Sequence, residues 1–122
     1  VTASDHDLLE FAAASLPSVW ALELLLLLKS EARTWGTDEL VSHLRASDLV
    51  VANALDALVA AGLVSMDPNG ARYLPIGGNA ASNVDGLESL YRARPNAVRR
   101  AIVSAKRSNA TAFADAFKLK KD

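Results

Sequence analysis

The chain has no cysteine, which excludes disulfides, zinc–thiolate sites and thiol nucleophiles. Aromatic residues make up only 6% of the sequence, so a core has to be assembled from Leu, Val and Ala. Leu and Ala are also strong helix formers, which points to a mainly α fold. Long apolar runs are missing as well. The longest, Val19 to Leu28, is interrupted by Glu23 and falls short of the roughly 20 residues that cross a bilayer. The first seven residues are polar and acidic in character and do not read as a secretory signal. The expectation is therefore a cytoplasmic protein without membrane contact. Histidine is scarce too, with two residues in all. No Ser–His–Asp set, metal cluster or phosphate loop can be assembled, so the sequence reads as a non-enzyme with no cofactor and no metal.

The chain is otherwise well supplied for folding. It has 122 residues, 51% of them hydrophobic, enough for one domain that buries roughly two-thirds of its unfolded surface. Charge is distributed unevenly. Residues 1–75 hold four basic and ten acidic groups, a net of −6, whereas residues 76–122 hold nine and four, a net of +5. Such a split bears on partners rather than on fold.

Periodicity and punctuation give the element order. Ser4 caps a first helix, with Asp7 completing a capping box. Pro17 closes or reopens the helical pattern. Val19 to Ser30 is apolar on nearly every side and reads as a central helix. Trp35 is expected to lie extended against the core. Thr37 is expected to cap a third helix that ends at Ala46, with Asp38 and Glu39 in its first turn. Ser47 caps a fourth helix from Asp48 to Ala61, closed by Gly62 in a left-handed conformation. Leu63–Met66 and Ala71–Leu74 then read as a hairpin around Asp67-Pro68-Asn69-Gly70. Residues 76–83 form a linker. Asn83 is placed as the cap of a further helix from Val84 to about Arg94, and Pro95 opens another. A last helix begins at Ser108 or Asn109 and carries Phe113 and Phe117. The organisation is thus an N-terminal helix over 1–17, a module over 18–75, a linker over 76–83 and basic C-terminal helices over 84–122.

The segment Asp56-Ala57-Leu58-Val59-Ala60-Ala61-Gly62-Leu63-Val64 resembles the joint between recognition helix and wing in MarR-like bacterial transcriptional regulators. Thr37–Leu44 looks like the second helix of the same module. The resemblance covers about half the chain. It implies a winged helix-turn-helix over residues 18–75, with a two-stranded wing and extra N-terminal and C-terminal helices. It also implies a homodimeric transcriptional regulator that sets the helix Asp48–Ala61 into the major groove of duplex DNA.

The residues of that helix qualify the implication. With Val51, Ala54, Leu55 and Leu58 placed inward, the outward set is Asp48, Val50, Asn53, Asp56, Ala57 and Ala60. No Lys or Arg lies between Arg45 and Arg72. Candidate binding residues are Arg45, Ser47, Val50, Asn53, Ala57 and Arg72 on the module, with Arg99 and Arg100 on the basic helices. Arg92, Arg94, Lys106 and Arg107 extend the basic cluster. Two functions follow. One is DNA binding, with Asn53 reading a base edge and the arginines touching phosphates. The alternative is a protein-interaction or dimerisation module that docks through the Asp48–Ala61 helix and does not bind DNA. Other candidates are bland. His6 and Glu10 lie one helical turn apart without a third ligand, His43 reads as a surface residue, and Gly77-Gly78 reads as a flexible connector.

Overall fold

The computed structural model describes residues 4–105. They form a mainly helical fold with one small antiparallel sheet. The order is α1 (Asp5–Ser15), α2 (Val19–Ser30), α3 (Thr37–Leu44), α4 (Asp48–Ala60), β1 (Val64–Asp67), β2 (Gly70–Tyr73) and α5 (Ala80–Ala93). A further helix, α6, covers 95–105. The expected helix from Ser108 or Asn109, with Phe113 and Phe117, and the basic residues Lys106 and Arg107 lie outside the described residues. No single described helix is long and apolar enough to cross a membrane.

Capping chemistry sets most boundaries. The Ser4 hydroxyl accepts the Asp7 N–H at 3.1 Å, and the Asp7 carboxylate accepts the Ser4 N–H at 3.4 Å. Ser18 and Ser47 cap α2 and α4 in the same way. The third helix departs from expectation. Its N-cap is Gly36 rather than Thr37, because the Glu39 carboxylate reaches back to the Gly36 N–H at 3.0 Å. It also ends before Ala46, since Arg45 adopts a left-handed conformation with φ of 55°. A side-chain residue in this region costs about 1–2 kcal/mol, which the packing of the flanking helices must offset. Gly62, with φ of 74°, ends α4 as expected.

α2 is the centre of the molecule. Ala21, Leu22, Leu24, Leu25 and Leu28 are buried on it, and α4 and β2 pack against it. One continuous core gathers these residues with Leu40, Leu55, Leu58, Leu63 and Leu87. No charged or polar residue is buried among the described ones.

The two strands pair antiparallel, with Val64 opposite Tyr73 and Asp67 opposite Gly70. Both are displaced by one residue from the expected spans. The Asp67 carboxylate explains the tight turn between them, accepting N–H groups of Asn69 at 2.7 Å and Gly70 at 3.2 Å. A third piece of sheet comes from the loop after α2. Trp35 and Ala71 exchange both backbone hydrogen bonds, at 2.7 and 2.8 Å, as an antiparallel bridge. The extended Trp35 expected from sequence is therefore tied to the hairpin itself.

α5 begins at Ala80, with Asn79 as its N-cap, so Asn83 lies inside the helix and the connector is shorter than expected. Ser82 folds its hydroxyl back onto the Asn79 carbonyl at 3.1 Å, and the three small residues Ala80, Ala81 and Ser82 complete the first turn. α5 packs on α1. Gly86 permits that approach, since a Cβ there would lie 2.9 Å from the Leu8 side chain.

Candidate binding surface

α4 has two unlike faces. Val51, Ala54, Leu55 and Leu58 are buried, as their spacing predicts. Asp48, Asn53, Asp56 and Ala60 are exposed, as expected, whereas Val50 and Ala57 are half-buried on one flank. One residue escaped the sequence reading. Leu49 is 69% exposed, among the most exposed large apolar side chains in the described structure. Its position was available from periodicity. Leu49, Asn53, Asp56 and Ala60 stand at i, i+4, i+7 and i+11, the row directly opposite the buried stripe. Ala52 and Val59 are exposed on the other flank. The face is thus apolar at Leu49 and Ala60, polar at Asn53, acidic at Asp48 and Asp56, and without a basic group.

The other module candidates surround this face or serve the fold. The Ser47 hydroxyl accepts the Val50 N–H at 3.1 Å and acts as the helix cap. Arg45 occupies the turn between α3 and α4 and is exposed. Arg72 is exposed on β2 opposite Ser65. At the C-terminal end of α4, Ala57, Ala60 and Ala61 form one wall of an open groove. Ala13, Leu16 and Pro17 contribute the other.

Arg99 and Arg100 belong to a different surface. α4 packs on α2, α3 and β1, whereas α5 packs on α1. Arg99 on α6 donates to the Tyr91 hydroxyl at 3.1 Å, with its guanidinium 5.5 Å from the ring centroid. Tyr91 in turn donates to Glu23 of α2 at 2.6 Å. Burial, then the Glu23 carboxylate, raises the Tyr91 phenol above its ordinary value, so it stays a donor at neutral pH. Arg92 and Arg94 make only long ion pairs, 3.5 Å each, with Glu88 and Asp5. Arg92, Arg94, Arg99 and Arg100 are all exposed. The structure therefore divides the sequence candidates into an acidic, partly apolar α4 face and a basic α5–α6 face.

A polar cluster beside the second surface has a structural character. Lys29 of α2 contacts Glu88 at 2.8 Å and Asp85 at 3.2 Å. The Glu88 hydrogen bond is the main cause of its raised pKa, so Lys29 remains charged. The neighbouring Tyr73 hydroxyl is buried without a hydrogen-bond partner, and burial pushes its pKa up.

The histidines assemble nothing. His6 meets Glu10 at 3.0 Å on the exposed side of α1, and exposed His43 stands edge-on to Trp35 at 5.7 Å between centroids. Among the described residues, no group of three His, Asp or Glu could hold a metal ion. Arg33 lies over the same indole at 3.8 Å from its centroid and is held there by Glu39 and Glu31. Compared with known protein families, curated proteins and solved structures, the chain matches none of them.

Proposed function

We propose that residues 18–75 form a winged helix-turn-helix module, and that the chain is a non-enzymatic regulatory protein whose α4 docks on another protein. The order α2, bridge residue Trp35, α3, α4, β1, β2 supports the module reading. So does the three-residue turn, Arg45, Ala46 and Ser47, that separates α3 from α4. The hairpin β1–β2 then serves as the wing.

One observation carries the choice of partner: the outward row of α4 has no Lys or Arg, and it leaves Leu49 69% exposed. Duplex DNA presents about one negative charge per 1.7 Å of axis, and strong binders neutralise roughly six to ten phosphates. Here Asp48 and Asp56 would face those phosphates and be repelled. A protein surface with apolar and basic groups satisfies the same row, burying Leu49 and pairing the carboxylates. DNA binding is the second reading. It is favoured by Asn53 at the centre of the row, with Arg45 exposed in the turn before α4 and Arg72 exposed on β2.

A titration of the full chain against random-sequence duplex separates the two. At about 50 mM salt the phosphate attraction is strongest. The expected result there is no saturable change in anisotropy at micromolar protein. Saturable binding that weakens steeply with added salt overturns the protein-docking reading in favour of the second.

A further inference from the structure

We infer that the protein surface which receives α4 is the basic α5–α6 face of a second copy of this chain, an inference that rests on the protein-docking reading above. The two faces are complementary in charge. α4 exposes Asp48 and Asp56 and no basic residue, while the other face exposes Arg92, Arg94, Arg99 and Arg100. They are also alike in having an apolar side chain among the polar ones. Leu49 is 69% exposed on α4, and Val103 is 47% exposed on α6, one turn beyond Arg99 and Arg100.

Within one chain this complementarity is not used. The ion-pair partners of Arg92 and Arg94 are Glu88 and Asp5, and no ion pair among the described residues joins α4 to these arginines. α4 spends its inner face on the core, which leaves its outer row for another molecule. Each copy carries one acidic and one basic face. In the proposed dimer a two-fold axis sets each α4 row against the arginines of the other copy, which closes the assembly where a single head-to-tail contact would continue it. Leu49 and Val103 of both copies are then covered, and the exposed carboxylates and guanidinium groups exchange water for one another at the rim. Because the pairs are exposed, the contact is expected to weaken as salt shortens the Debye length from about 14 Å near 50 mM to about 4 Å near 500 mM.

Sedimentation equilibrium on the full chain, with two charge-reversed variants, tests this. Asp56→Lys with Ala60→Lys reverses the α4 row and leaves the first-turn Asp48 in place. Arg100→Glu with Val103→Glu reverses the α6 row and leaves the Arg99–Tyr91 contact in place. Circular dichroism melts check that each variant folds, and the single changes Ala60→Lys and Arg100→Glu replace any double variant that does not. The parent is expected to dimerise at about 50 mM salt and to dissociate at least tenfold more readily near 500 mM. Each variant alone is expected to associate at least tenfold more weakly. An equimolar mixture of the two is expected to regain association, because lysine rows then meet glutamate rows while native rows meet native rows. A parent that stays monomeric at low salt overturns the inference. So do variants that dimerise like the parent, or a mixture that fails to recover. Those failures leave the broader docking reading intact; only saturable duplex binding removes that one.

Discussion

Replacing Gly70 with Ala probes the joint on which the hairpin and the Trp35 bridge both depend. Gly70 has φ of 141°, which side-chain residues rarely adopt, and that strain alone is worth about 1–3 kcal/mol. Space is the larger obstacle. A Cβ would stand 2.0 Å from the Trp35 carbonyl oxygen and 2.7 Å from its carbon. Both atoms are backbone, so no rotamer change relieves the clash. The segment around Trp35 has to move, and the two hydrogen bonds it exchanges with Ala71 are the first to break. Each contributes about 0.5–1.5 kcal/mol net. Taken with the strain, a loss of about 2–6 kcal/mol is expected, a large part of the 5–15 kcal/mol typical of a domain. Urea unfolding followed by circular dichroism measures it. Gly78→Ala is the control, since nothing lies within 4 Å of a Cβ there and its φ is ordinary. A Gly70→Ala chain that unfolds within about 0.5 kcal/mol of the parent would refute the reasoning, because surface changes already reach that size.

Three further outcomes are expected from the same unfolding assay. Leu58→Ala, at a fully buried site where α4 meets the core, should cost about 2–5 kcal/mol, and a loss under about 1 kcal/mol would contradict the burial. Tyr73→Phe should leave stability unchanged or raise it by about 1 kcal/mol, because it removes a buried hydroxyl without a partner; a clear loss would show that the phenol is hydrogen-bonded. Glu39 is held below its ordinary pKa of 4.5, first by the Arg33 hydrogen bond and then by the Gly36 N–H. A depressed carboxylate adds stability above its unfolded pKa and loses it as pH falls through the folded value. The advantage of the parent over Glu39→Gln should therefore be full near neutrality and shrink below about pH 4.5, more weakly at high salt because the pair is exposed. An advantage that does not vary between pH 7 and pH 3 would remove the ion pair from the account.

Local chemistry decided the positions of α1, α2 and α4. Ser4, Ser18 and Ser47 cap with their own hydroxyls, and each signal is complete within four residues. The boundaries that moved depended on groups farther away or on competing local bonds. Glu39 reaching back to Gly36 displaced Thr37 from the cap of α3. The small residues Ala80 and Ala81 carry no punctuation, so nothing local marks the start of α5 at Ala80 ahead of Asn83. Leu49 stands in the row opposite the buried stripe of α4, so its exposure follows from the same helical period.

By itself the amino-acid order determined the mainly helical character, the buried stripe of α4, the tight turn at Asp67 to Gly70 and the contrast in charge between the two parts of the chain. Each of these depends on neighbours within a turn or two, or on composition alone. Only the tertiary structure decided that Trp35 joins the hairpin, that Gly86 brings α5 onto α1, and that Tyr91 links Arg99 to Glu23. Those contacts join residues far apart in sequence or on separate helices. They exist because packing around α2 closes the chain on itself, and no local pattern records which distant side chain will fill a given space.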